Sequence, residues 1–198
     1  MTARNDPAAA SPPSRRLYVY NGGFLAQTRI RRILALSGYD VALGKPSADD
    51  LIGVWGQSPT AWRGEAVSGK TTAPVLRVED AFLRSVLPGR DGEPPLGLHV
   101  DLNGVHFDPS KPSDLELILR DDPLDDTALL NRARDCADAI RRLHLSKYNA
   151  FHSDTPTPDP GYVLVIDQTA GDASVRASRA DRNTFLEMLF VAREEHPA

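Results

Sequence analysis

The residues best suited to chemistry in this sequence stand directly behind apolar runs. Residues 163–166 (VLVI) are followed by Asp167, Gln168, Thr169 and, past Gly171, Asp172; residues 74–78 (PVLRV) are followed by Glu79 and Asp80. An unbroken branched apolar run predicts a strand covered on both faces, as at the centre of a parallel sheet flanked by helices. Ligands of such sheets collect beyond the carboxyl ends of the strands, and parallel topology puts those ends on one side. Glu79 and Asp172 are therefore expected on one edge, where two carboxylates suit chemistry on a sugar or a phosphate. The competing reading makes Asp167 the cap of its strand end and Asp172 the cap of the next helix.

Polar partners for an anionic ligand are also present. Arg84 beside Ser85 could hold such a ligand, because a guanidinium grips carboxylate or phosphate with two parallel hydrogen bonds. The same Arg84 could equally be a partner for Glu79 or Asp80. Ser146, Lys147, Tyr148 and Asn149 place a cation, a phenol and an amide together, although Lys147 could also simply complement a helix C-terminus.

The elements that must position these groups follow from periodicity. Residues 17–20 read as a strand, 21–23 as a turn, 24–37 as a helix ended by Gly38, and 41–43 as a second strand, which together make a βαβ unit. Residues 51–55 and 74–78 are further strands with a helix from 61 between them. Asn103-Gly104 between residues 96–100 and 105–107 predicts a β-hairpin decorating the sheet. Ser113 is placed to cap a short helix, and Asp125 or Asp126 to open a long one to about residue 145. On that helix Leu129, Ala133, Cys136, Ile140 and Leu143 form one apolar stripe, expected in the core with Cys136 buried. Asp181 begins a final amphipathic helix with Phe185, Met188, Leu189 and Ala192 inward. The fold class expected is α/β, Rossmann-like, with a mainly parallel sheet flanked by helices and a hairpin insertion.

Composition narrows the function. A net charge of −4 and the absence of a Lys/Arg run with interleaved aromatics argue against a nucleic-acid partner. A single cysteine excludes an internal disulfide and fits a cytoplasmic setting. No apolar segment approaches the roughly 20 residues that span a bilayer. Residues 1–14, rich in Ala, Pro and Ser, are expected to be disordered. The glycine pair after the first strand lacks the G-x-G-x-x-G spacing of a dinucleotide site, and no cofactor or metal is expected.

Five ordered strings carry a resemblance: VWGQSP at 54–59, LRVEDAFLRS at 76–85, DGEPPL at 91–96, SKYN at 146–149 and VIDQTAGD at 165–172. Together they resemble the amino-terminal half of a module of the bacterial capsular polysaccharide biosynthesis proteins that are retaining β-Kdo glycosyltransferases. The sequence departs from the family pattern at Ala81, Leu87-Pro88 and His106-Phe107. The resemblance implies that residues 15–198 form the first of two Rossmann-like halves of a GT-B-like module, the second holding most of the CMP-Kdo donor. It implies further that Asp172 is the nucleophile and Glu79 the proton carrier; Arg84, Ser85, Lys147, Asn149, Gln168 and Thr169 are the candidate substrate-binding residues. The lipid-linked Kdo acceptor makes peripheral inner-membrane contact compatible with a cytoplasmic location. Because the sequence stops where the donor half should begin, that half is expected to be missing or carried by a separate chain. Two rival expectations remain: a truncated or accessory relative that does not catalyse, and a binding module for an anionic sugar or nucleotide.

Overall fold

The computed structural model of the protein describes residues 14–152 and 154–197. The disorder expected for the amino-terminal tail falls, apart from Ser14, outside these residues. Five strands, β1 (Arg15–Val19), β2 (Tyr39–Ala42), β3 (Leu51–Trp55), β4 (Val75–Asp80) and β5 (Leu98–Asp101), form one sheet in the order β2-β1-β3-β4-β5. The first four run parallel and β5 is antiparallel to β4. The fold is thus α/β, a mostly parallel sheet flanked by helices. The chain reverses its direction of growth between β1 and β3, which puts a topological switch point and its ligand crevice at their carboxyl ends.

Both faces of β3 are covered, as its apolar composition predicts. Leu51 joins Leu17, Val19, Leu76 and Val78 in the cluster under α1 (Gly22–Ala26) and α2 (Thr28–Leu36), where Phe24, Ile30 and Leu34 are buried. Ile52 and Val54 pack on the other face with Ala61 and Ala73, beside α3 (Trp62–Thr71). Each such fully buried aliphatic side chain contributes about 1.5–3 kcal/mol. Helix α3 lies so close to β3 that a Cβ on Gly64 would stand 2.5 Å from Val54 Cγ1 and 2.9 Å from Ile52 Cγ2.

The remaining helices are α4 (Asp114–Asp121), α5 (Thr127–Arg142), α6 (Ala173–Ala177) and α7 (Arg182–Glu195). Ser113, Asp126 and Asp181 cap α4, α5 and α7 as their positions predict, the first and last within capping boxes. The helix expected over residues 24–37 is divided, because Gln27 is extended and ends α1 while opening α2. Asn21 is a helix cap rather than a turn residue, its side chain accepting from Gly23 N at 2.8 Å.

Further expectations are corrected. Residues 163–166 form no strand; Leu164 is 70% and Ile166 59% exposed, and among the described residues no strand lies beside them to complete a hydrogen-bonded ladder. They run instead along α7, separated from it by clefts of about 450 and 320 Å³. The apolar stripe of α5 is likewise not core, for the helix buries none of its residues and Cys136 is exposed. On α7, Met188 and Leu189 are exposed too.

The last correction concerns the Asn103-Gly104 turn. Residues 105–107 do not pair with β5, which returns to β4 instead. Asp101 decides this. Its buried carboxylate accepts from Asn103 N, Gly104 N and Asp114 N at 2.8, 2.6 and 2.8 Å, so the chain folds over onto α4. Gly104 lacks the positive φ of a tight hairpin turn. It is needed for a close approach: its Cβ would lie 3.0 Å from Pro112 O.

Candidate functional site

Glu79 leaves the end of β4 on the face shared with Arg77 and sits over Gly56, the first residue after β3. A methyl group on Gly56 would overlap Glu79 Oε1, and the φ of +37 there also favours glycine. Gly56 is fixed from both sides, its N–H donating to Val78 O at 2.9 Å and its carbonyl accepting from Arg77 Nη1 at 2.7 Å. Arg77 also holds Glu65 of α3 at 2.7 Å. In this enclosed seat burial pushes the Glu79 carboxyl up to about 7, and the neighbouring Asp80 charge adds to the effect. Lys147 acts against that rise and Asp172 acts with it, so all three charges share one neighbourhood.

Asp172 caps α6, as one of the two sequence readings holds. Its Oδ1 accepts from both Ser174 N at 2.8 Å and Ser174 Oγ at 2.6 Å. These bonds, led by the Ser174 hydroxyl, hold its pKa below the usual carboxylate value, and Lys147 contributes in the same direction. The two cap bonds fall on one oxygen, so the cap does not use Oδ2. Glu79 and Asp172 therefore lie within electrostatic reach of each other, the one with its pKa raised and the other with its pKa lowered.

Lys147 is brought to this place by main-chain pairing. Ser85 and Tyr148 form an isolated parallel bridge, and Lys147 O accepts from Arg84 N and Ser85 N at 3.1 and 3.3 Å. Asn149 locks the joint, its Nδ2 donating to Ser85 O at 3.1 Å and Ser146 O at 2.9 Å. Ser146, Ser85 and Asn149 thus act as the frame of the site. Lys147 Nζ is 5.7 Å from the Tyr148 ring centroid and free of that frame.

Arg84 lies on the opposite face of the sheet edge and is buried. Its Nε stands 2.8 Å from Asp80 Oδ2, a close ion pair without hydrogen-bond alignment, and its Nη1 donates to Ser85 Oγ at 2.8 Å and Glu93 O at 2.9 Å. The Asp80 pairing is one of its two sequence readings. The guanidinium also lines a crevice of about 230 Å³ at the switch point with Asn21, Phe24 and Trp55. Gln168 and Thr169 are exposed; Gln168 N donates to Asp167 Oδ1 at 2.6 Å, and Thr169 O accepts from Asp172 N at 3.1 Å. Thr169 therefore shapes the turn that presents Asp172, and Asp167 closes its own loop.

Sequence reasoning missed Gly56, His99 and His106. A glycine directly after a strand is a signal for the first. His99 pairs with Glu79 across β4 and β5, which the hairpin assignment hid. His106, 5.3 Å from His99, has its pKa lowered by burial, by His99 and by Lys147. Among the described residues no group of His, Cys, Asp and Glu could hold a metal ion, and no helix is long and apolar enough to cross a membrane.

The family described as capsule polysaccharide biosynthesis protein matches residues 50–198. The capsule polysaccharide modification protein LipA of Neisseria meningitidis is 34% identical over 195 residues, covering 93% of this chain and 27% of its own length. The lipopolysaccharide-processing protein LpsZ of Rhizobium meliloti is 39% identical over 133 residues, covering 65% of this chain and 30% of its own. Among solved structures, the KpsC beta Kdo 2,4 transferase of Thermosulfurimonas dismutans superposes with a TM-score of 0.80 at 32% identity, over 94% of this chain and 59% of that one. The KpsC beta Kdo 2,7 transferase from the same organism, at 24% identity and a TM-score of 0.59, shares the fold. The chain spans under a third of the length of these curated relatives.

Proposed function

The chain belongs to the capsule polysaccharide biosynthesis protein family, and on that premise we propose that Glu79 and Asp172 are the catalytic carboxylates of a retaining transfer of Kdo from CMP-Kdo to a lipid-linked Kdo acceptor. The observation that carries this reading is the opposite tuning of two carboxyl groups in one neighbourhood, Glu79 up to about 7 and Asp172 downward. Environments that push two titratable groups apart assign the roles of proton carrier and ionised group. Likeness to a Kdo transferase at 32% identity supports the choice of sugar.

Retention needs two inversions. In the first, Asp172 Oδ2 attacks the anomeric carbon, the bond from that carbon to the phosphate oxygen breaks, and CMP leaves with the electron pair. In the second, the acceptor hydroxyl attacks the same carbon, its proton passes to the Glu79 carboxylate, and Asp172 departs as carboxylate. Lys147 offsets negative charge on the sugar and on both carboxylates. A second Rossmann-like unit, on the same or another polypeptide, supplies most of the nucleotide contacts, and the acceptor lipid brings the enzyme to the cytoplasmic side of the inner membrane.

The cap on α6 favours a second reading, in which Asp172 is structural and the chain is an accessory relative that binds an anionic sugar without transferring it. One experiment separates the two. With CMP-Kdo and the donor-binding unit supplied, intact-protein mass spectrometry should show an adduct of one Kdo on the wild type. It should show none on Asp172→Asn, although asparagine can still cap α6. A wild type that binds the sugar but neither forms the adduct nor transfers it would establish the second reading, and an Asp172→Asn protein that continues to transfer sugar would show that Asp172 is a structural cap in an active transferase.

A further inference from the structure

Beside Glu79 stands a group that the two-carboxylate reaction does not use. In the antiparallel register of β4 and β5, Glu79 is paired with His99 and Arg77 with Asp101. Directly paired residues hold their Cβ atoms about 5 Å apart on one face, so His99 and Glu79 are side-by-side neighbours. The His99 ring stands edge-on to His106 at 5.3 Å and tilted against Phe82 at 5.9 Å. His106 is itself held between Phe82 and Phe107, each at 5.4 Å.

The two ring nitrogens of His99 have different surroundings. Nε2 is shut off from solvent, has no hydrogen-bond partner and stands 3.9 Å from Asp101 Oδ2. The side chain nevertheless keeps 19% of its surface exposed, whereas that of Asp101 keeps 1%. Nε2 and not Nδ1 is the ring nitrogen that is shut off without a partner, so the open edge of the ring lies away from Asp101. A buried ring nitrogen without a partner is costly, and a carboxylate slightly beyond bonding distance is the group that can relieve it by a small approach. A buried carboxylate behind one imidazole nitrogen, with the other nitrogen open, fixes the ring's orientation and tautomer. Hydrogen bonds of this kind are often long before substrate arrives.

We propose that His99 is an acceptor-binding residue, oriented by Asp101 through Nε2, whose Nδ1 holds a hydroxyl of the acceptor sugar against Glu79. This deepens the preceding reading and rests on Glu79 receiving the hydroxyl proton. His99 forms and breaks no covalent bond; it accepts a hydrogen bond from the sugar, and the proton that leaves the attacking hydroxyl goes to Glu79. The class of ligand is a polyhydroxylated sugar. His106 and Phe82 keep the ring from swinging out of line.

The discriminating measurement is the two half-reactions taken separately in the full-length protein with the donor-binding unit supplied. His99→Phe keeps the aromatic packing but has no ring nitrogen. It should form the Asp172 adduct at the wild-type rate and discharge it to a Kdo glycoside roughly tenfold more slowly, the equivalent of one lost hydrogen bond. His99→Gln should recover part of that loss. A wild-type discharge rate in His99→Phe would overturn the proposal. A second readout needs no turnover: in ¹⁵N-histidine-labelled protein, the His99 Nδ1 resonance should shift on titration with the same Kdo glycoside. A His99 resonance that stays still while others saturate would overturn it too. Absence of any adduct on the wild type would count against the two-carboxylate reading, while the resonance would still decide His99.

Discussion

At the scale of single residues, the site depends on what surrounds Glu79. Its carboxyl is raised from 4.5 to about 7 by burial first and by Asp80 second. The folded protein therefore holds this proton more tightly than the unfolded chain. That stabilisation is fully present below pH 4.5 and is lost as pH rises through about 7. Glu79→Gln, which cannot ionise, should thus match the wild type in denaturant titrations at pH 4 and exceed it at pH 8 by about 1–3 kcal/mol, while losing transfer. Equal stability of the two proteins at pH 8 would show that the carboxyl is not destabilised when charged. Gly56 is the companion test. Gly56→Ala places a methyl on Glu79 Oε1 and strains a positive φ, so the glutamate must leave its seat. Transfer should fall sharply for a stability cost of about 1–3 kcal/mol, and the apparent pKa of Glu79 by carboxyl NMR should drop toward the ordinary glutamate range.

At the scale of elements, α3 fits closely on β3 at Gly64. Gly64→Ala would press a methyl into Val54 and Ile52 at 2.5 and 2.9 Å. Overpacking of this kind costs about 1–3 kcal/mol, and thermal melting should show it without any change at the carboxylates themselves. A neutral or stabilising effect would mean that α3 moves freely on the sheet. The joint between residues 84–86 and 146–149 has the opposite character. It is made of a few main-chain bonds locked by one amide, and it brings Lys147 to Glu79 from more than sixty positions away, as the bond from Asn149 Nδ2 to Ser85 O spans 64 residues. Helix α5 is well capped but buries nothing, so capping alone defines its start.

At the scale of the whole molecule, the sheet and its acidic edge are built from residues 15–101, whereas α5 and α7 bury none of their residues. Leu129, Leu143, Leu164, Ile166 and Phe190 are exposed, an apolar extent that in a folded protein marks surface meant for other contacts. Sugar transfer needs donor, nucleophile and acceptor fixed together, and positioning accounts for roughly 7–11 kcal/mol of such a barrier. Since the proposed donor contacts come mainly from a second unit, the 198 residues alone should bind CMP-Kdo no tighter than about 1 mM by calorimetry and give no extended lipid product. Turnover by this chain alone, abolished in Asp172→Asn, would relocate the donor site to the sheet described here.

The sequence by itself determined the local features: the strands β1 to β4, the caps at Ser113, Asp126 and Asp181, and the presence of Glu79 at the carboxyl end of the β4 run. Each of these follows from side chains within a few positions of one another, through apolar composition or a hydroxyl or carboxylate reaching the next free N–H groups. Tertiary structure decided the rest. Whether an apolar run is a strand depends on a neighbour to complete its hydrogen bonds, which residues 163–166 lack among the described residues. Whether Leu129 and Cys136 are core depends on what covers α5. The pairing of His99 with Glu79 was invisible because register is set by the partner strand, and Asp101, by taking three N–H groups, turned the chain away from the local hairpin that Asn103-Gly104 would otherwise favour. The pKa of Glu79 is likewise a property of its seat over Gly56, since burial and neighbouring charge exist only once the sheet has formed.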